Sequence, residues 1–260
     1  MVQVQYGPLR RFEGLPSLKV LAINASQRAS GQSKTQLLME PLLEGMRQAG
    51  AEVETIHLRQ KNIHPCVACI SCWISTPGRC VQQDDMTLEL YPKWLASDLV
   101  VYATPVYHLT LSSSLKMFFE RTLPVVEPYW IEEGGRMTHP YRQQTPAAVV
   151  LATSTFPEEA VFGPLSSYMR LLCRAGMART LLAEIYRPAA ESLVGRRQAR
   201  KRGEVLAAAE QAGREIIRDG KVSEATMAKI CQPIGDPADL ARTANAVWRN
   251  VIERGFRLER

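Results

Sequence analysis

"LKVLAINASQRASGQSKTQLLMEPLLEGMRQAG", residues 18–50, decides the fold. Its first seven residues, 18–24, are an almost unbroken apolar run, the pattern of a strand buried on both faces of a sheet. A polar stretch follows over 25–34. Then Leu38, Leu42, Met46 and Ala49 recur at helical spacing, and Gly50 is placed as a C-terminal cap. Pro41 lies inside that helix and should kink it or make its first turns irregular. "AEVETIHL", 51–58, alternates like a strand. Strand, loop, helix, strand is a βαβ unit with parallel strands.

The same pattern continues along the chain. Strands are expected at 99–105, 146–153 and 178–186, and helices at 84–98 (capped by Asp84 or Asp85 and weakened by Pro92), 111–122 and 158–174. An irregular insertion spans 124–145, and two helices, 196–219 and 236–255, close the chain. Five apolar strands alternating with helices make a doubly wound parallel α/β sheet. The organisation expected is an N-terminal arm over 1–17, one α/β domain over 18–190 and a helical extension over 191–260.

Composition narrows the class. The 260 residues, 46% hydrophobic and 22% charged, suffice for a large core. No apolar run approaches the roughly 18–20 residues that span a bilayer. The first residues read as neither a secretory signal nor an anchor, so a cytoplasmic location away from membranes is expected. The net charge of +6 is mild, and its only dense run is "GRRQARKR", 195–202, which reads as a solvated face or a docking patch for an acidic partner. Nucleic-acid binding would need a basic stripe interleaved with aromatics, and is not expected.

In an open parallel sheet, ligands bind beyond the carboxyl ends of the strands. Three loops meet there. "NASQRASGQSKT", 24–35, leads hydroxyls and two cations into a helix N-terminus. It reads as a phosphate monoester site or as an ordinary polar turn capped by Ser33. With Gly31 as its only glycine it is neither a dinucleotide loop nor a Walker A loop. "TPVYHL", 104–109, offers Tyr107 to a flat ring, or is a turn with an edge aromatic. "TSTF", 153–156, is again rich in hydroxyls and ends in an aromatic. Jointly the three describe a site for a planar ring carrying one phosphate.

Four of the six cysteines fall within "HPCVACISCWISTPGRCVQQDD", 64–85, as Cys66-x2-Cys69-x2-Cys72-x7-Cys80. Three thiols at successive x2 intervals suit one corner of a [4Fe–4S] cube better than tetrahedral zinc, which pairs two separated knuckles. A metal-free loop and a redox-active thiol pair remain as other readings. Secreted disulfide scaffolds spread their bridges around a small core, unlike this window. Cys173, in a helix, and Cys231, in a C-terminal loop, are expected to be inert.

Taken together, these loops resemble the flavodoxin-like NAD(P)H-dependent FMN reductases, and within them the iron–sulfur flavoproteins. "ASQRASGQSKT" matches the family's first loop at Ser26, Arg28, Gly31 and Ser33, with Gln27 in place of a proline and Gln32 of an asparagine. "TPVY", 104–107, matches the second signature intact. The resemblance implies that Ser26, Arg28, Gln32, Ser33, Lys34 and Thr35 hold the FMN phosphate. It places Thr104, Pro105, Val106, Tyr107 and His108 along one side of the flavin, and Thr153, Ser154, Thr155 and Phe156 along another. It also implies that Cys66, Cys69, Cys72 and Cys80 bind one [4Fe–4S] cluster. No general acid or base is then required, because the flavin carries the redox chemistry. Electron transfer from a ferredoxin-like donor is expected, the alternative being a cluster-free NAD(P)H-dependent reductase of quinones, nitro compounds or flavin. The resemblance further implies a homodimer or homotetramer, with Met117, Phe118 and Phe119 as interface candidates.

Overall fold

The computed structural model describes residues 17–133, 135–173, 180–194 and 198–255. Nearly all of the arm at 1–17, the first residues of the strand at 178–186 and the start of the basic run at 195–202 lie outside them. The strands are β1 (Lys19–Asn24), β2 (Glu52–His57), β3 (Leu99–Pro105), β4 (Ile131–Glu133), β5 (Arg136–Thr138), β6 (Ala147–Thr153) and β7 (Leu181–Arg187). The helices are α1 (Lys34–Gln48), α2 (Tyr91–Ala96), α3 (Ser113–Glu120), α4 (Gly163–Leu172), α5 (Ala199–Asp219), α6 (Glu224–Cys231) and α7 (Pro237–Arg254).

Five strands form a parallel sheet in the order β2-β1-β3-β6-β7. This is the flavodoxin-like succession, which reverses direction between β1 and β3. Every residue of β6 and all but Pro105 of β3 are buried, which is why both read as continuous apolar runs. β2 lies at the edge, half-exposed, and so alternates.

Each face of the sheet has its own core. One gathers Leu38, Leu42 and Met46 of α1 with Val205, Ala209, Ala212 and Ile216 of α5. The other gathers Trp94 of α2, Phe118 and Phe119 of α3, and Leu165 and Met169 of α4. Helix α5 crosses α1 at backbone contact: a Cβ on Gly45 would stand 1.8 Å from the Glu210 carbonyl oxygen, and one on Gly213 2.0 Å from that of Leu42. Arg187, at the end of β7, is fully buried and donates to the carbonyls of Ile230 and Gln232. A cation there meets the negative end of α6 and satisfies carbonyls that the helix leaves over.

Several expectations need correction. Helix α1 runs unbroken through Pro41, since packing of Leu38 and Leu42 holds it where one backbone bond is missing. The helix expected at 84–98 opens instead as a π-helical turn, Met86–Leu90, before α2; Pro92 has no N–H to give, and the wider turn absorbs that loss. The insertion at 124–145 is not wholly irregular but holds the antiparallel β4–β5 hairpin. Cys231 ends α6 rather than lying in a loop, its Sγ donating to the Tyr186 carbonyl. Burial pushes that thiol's pKa up, in keeping with an unreactive cysteine. Phe118 and Phe119 belong to the core and cannot face a partner subunit. Among the described residues, no helix is long and apolar enough to cross a membrane.

Candidate functional site

The loop after β1 is built from its own hydroxyls. Asn24 is buried at the strand's end; its Oδ1 accepts from the Ser26 N–H at 3.0 Å, and Nδ2 lies 3.2 Å from His57 Nδ1. Ser26 Oγ in turn accepts from the Arg28 N–H, and Ser33 Oγ caps α1 through the Gln36 N–H at 3.1 Å. The N–H groups of Lys34 and Thr35 have no intrahelical partner, and with the helix dipole they form an anion site. Gly31 turns the loop at φ +81°, with open space where a Cβ would stand. Arg28 and Gln32 lie exposed on this loop. Lys34 Nζ pairs with Glu191 at 2.8 Å.

The other two loops adjoin it. Thr35 Oγ1 lies 2.7 Å from Thr153 Oγ1, both buried, locking the start of α1 to the end of β6. Val106 donates its N–H to the Thr153 carbonyl at 2.9 Å, so the loops carrying Tyr107 and Phe156 run side by side. Both aromatics are exposed, as is Thr155. Thr104 and Ser154 are buried and brace the backbone: Thr104 Oγ1 accepts from the Ser112 N–H and Ser154 Oγ from that of Phe156. The structure therefore joins the three loops through Thr35, Val106 and Thr153.

A tight reversal follows Tyr107, whose N–H and carbonyl both pair with Thr110. Its central residues, His108 at φ +46° and Leu109 at φ +63°, stand in the left-handed region that such turns usually give to Asn-Gly. An L side chain there costs about 1–2 kcal/mol. Leu109→Gly should therefore stabilise the protein by about 0.5–1 kcal/mol after glycine's larger entropy loss is subtracted. Thermal unfolding reads this as a rise of about 2 °C. A lower midpoint would mean that the exposed Leu109 side chain makes a stabilising contact.

The cysteine loop leaves the carboxyl end of β2 but does not stay at that edge. It descends to the far end of α3, where Cys66, Cys69, Cys72 and Cys80 line one pocket with Arg121, Leu123 and Pro124. Within the loop Ala68 and Ile70 both have φ +52°. A β-branched residue so placed is a true outlier. Burial, then the neighbouring Cys80, raises the pKa of the Cys72 thiol. Trp73 stacks obliquely on His139, centroids 5.2 Å apart, tying the loop to the hairpin insertion.

Arg121, in the pocket's wall beside Gln82 and Glu120, belongs to an ion pair that sequence reading missed. Asp84 and Arg121 side chains are 0% and 1% exposed. Arg121 Nη1 donates to Asp84 Oδ2 at 2.6 Å and to the His64 carbonyl at 2.7 Å, and Nη2 to Asp84 Oδ1 at 2.9 Å and Thr87 Oγ1 at 3.0 Å. Asp84 also accepts from the N–H groups of His64 and Thr87, the latter being the expected cap. Burial works to raise the Asp84 pKa, but the Arg121 bonds and these N–H groups outweigh it and hold the carboxyl below its usual range.

Among the described residues, no three His, Cys, Asp or Glu side chains converge to hold a single metal ion. A cubane asks for a different arrangement, in which each thiolate binds its own iron at a separate corner. Four cysteines around one pocket and the buried cation of Arg121 in its wall fit that demand.

Comparison with known proteins bears on both halves of the site. Residues 18–156 match the family model described as NADPH-dependent FMN reductase. The chain belongs to that family. Within it, similarity extends to an iron-sulfur flavoprotein of Archaeoglobus fulgidus, 36% identical over 107 residues, 41% of this chain and 46% of that protein. An iron-sulfur flavoprotein of Methanocaldococcus jannaschii is 33% identical over 108 residues, 42% of this chain and 53% of that protein. The matched region spans about half the length of these curated relatives. Among solved structures, the NAD(P)H:quinone oxidoreductase from Methanothermobacter marburgensis aligns over 77% of this chain and 96% of its own, with TM-score 0.56 and 19% identity. An FMN-dependent NADH-azoreductase from Bacillus anthracis aligns over 77% and 97%, with TM-score 0.54 and 12% identity. At such identities the likeness establishes the FMN reductase fold and no more.

Proposed function

We propose that the chain is an FMN-dependent oxidoreductase of the iron–sulfur flavoprotein type, moving electrons between FMN and a [4Fe–4S] cluster. The observation that carries this reading is the gathering of all four window cysteines around one pocket, in a chain of the FMN reductase family. When bound, FMN supplies two-electron and one-electron chemistry. The chain supplies position. Ser26, Ser33 and the first-turn N–H groups of α1 bind the phosphate as an anion, with Arg28 adding charge from the loop. Tyr107 and Phe156 cover the ring, and the Thr35–Thr153 bond keeps their loops in register. Cys66, Cys69, Cys72 and Cys80 ligate the cluster as thiolates. A homodimer or homotetramer and a ferredoxin-like donor complete the proposal; the exposed Val67, Ile70 and Val81 around the pocket give it an apolar rim suited to protein contact.

Iron, sulfide and flavin analysis of protein purified without oxygen tests this. About four irons and one FMN per chain are expected, and Cys72→Ser should lose most of the iron while keeping the flavin. Flavin without iron in the wild-type protein, made in cells competent to build clusters, would leave a cluster-free NAD(P)H-dependent reductase. Reduction of bound flavin by NAD(P)H would then be the next measurement.

A further inference from the structure

Arg121 offers more than an ion pair. Its guanidinium carries five N–H donors. All four on the Nη atoms are committed, to Asp84, His64 and Thr87. The fifth, on Nε, is buried and meets no oxygen or nitrogen acceptor among the described residues, and the sulfur of Cys80 is the group left beside it. Leaving such a donor unpaired costs about 1–3 kcal/mol or more for a charged group. Arg121 lines the pocket of the four cysteines, where its charge acts on Cys69 and is acted on by Cys80. Asp84 and the two groups beside it, the His64 carbonyl and the Thr87 hydroxyl, grip the guanidinium by its Nη atoms, so its position is set without help from the pocket.

We infer that Arg121 tunes the electron affinity of the group held by the four cysteines, its Nε–H donating to a sulfur beside Cys80. The inference rests on the cluster reading given above. An electron entering that group adds negative charge opposite a fixed N–H dipole. No bond breaks and no proton moves, because the guanidinium stays protonated throughout. The reduced state gains more from the hydrogen bond than the oxidised one, so the bond raises the reduction potential. Asp84 holds the two Nη atoms, which leaves Nε as the donor free for the pocket that Arg121 lines.

Arg121→Lys keeps the charge for Asp84 but has no equivalent of the Nε–H. The double variant Asp84→Asn/Arg121→Gln replaces the ion pair by two amides and serves should the single variant fold poorly. Each is reconstituted anaerobically with ferrous iron and sulfide beside the wild-type protein, and iron content and reduction potential are measured. We expect full iron in all three and a tenfold less favourable reduction in both variants, about 59 mV for one electron. Unchanged potential in variants that hold their iron would overturn the inference and leave the cluster reading standing. Iron lost from both variants but kept by the wild-type protein would also overturn it, assigning Arg121 to loop structure alone. A wild-type protein that takes up no iron would overturn the cluster reading and this inference with it.

Discussion

Gly213→Ala is expected to destabilise the protein by about 3 kcal/mol, the upper end of what overpacking a close contact costs. Propensity predicts the opposite. Alanine is the better helix former by about 0.8–1 kcal/mol, and Gly213 sits well inside α5. The crossing with α1 decides the sign. An added methyl carbon would stand 2.0 Å from the Leu42 carbonyl oxygen and 2.8 Å from the Met46 nitrogen, both backbone atoms that no rotamer change can move. Gly45→Ala meets the same obstacle from the other helix, at 1.8 Å from the Glu210 oxygen. Either substitution must push the helices apart and open the core shared by Leu42, Met46, Ala209 and Ala212. Urea unfolding of the two variants measures the loss. Gly203→Ala, with open space around its Cβ, is the control and should stabilise. If Gly213→Ala were as stable as Gly203→Ala, the close crossing would be wrong.

Asp84→Ala should cost about 3–5 kcal/mol, because it leaves a guanidinium buried and uncompensated. It also strips an acceptor from the N–H groups of His64 and Thr87, so the cysteine loop and the start of the π-helical turn loosen together. Acid titration gives an independent reading. Asp84's folded pKa is depressed, so its contribution to stability is fully present above the unfolded carboxylate value of about 3.9 and fades as pH falls through the folded value. Below pH 4 the wild-type protein should therefore lose stability more steeply than Asp84→Asn, which has no such group to protonate. Parallel acid limbs for the two proteins would show that the pair contributes nothing there.

The fold was legible because its strands are buried on both faces: "LVVYATP" and "AAVVLAT" carry no polar face to confuse with a helix. Ser33 as a cap was legible as well, since capping is local and its partner lies three residues on. What escaped lies in long-range pairing. Asp84 and Arg121 are 37 residues apart, and nothing local marks either as buried. Gly45 and Gly213 each look like weak points in a helix until the helices are brought together. The β4–β5 hairpin did have a local signal, the Gly-Gly at 134–135, which the surrounding charges obscured. Helix α6 was also marked, by Ser223, whose side chain caps Thr226. Lys34 is a further long-range case: its partner Glu191 lies far along the chain, and nothing near Lys34 in the sequence marks the pair.

Helix α3 touches both halves of the site. At its start Ser114 accepts from Gln27 and Ser112 donates to the Ala25 carbonyl, both in the loop after β1; at its end Arg121 forms the wall of the cysteine pocket. Eight residues of helix rise about 12 Å. Phe118 and Phe119 seat this rod in the sheet, so it cannot slide. The chain thus contains a ruler. Residues added to the cysteine loop or the hairpin would change what surrounds Arg121 while leaving its separation from the loop after β1 as the helix sets it.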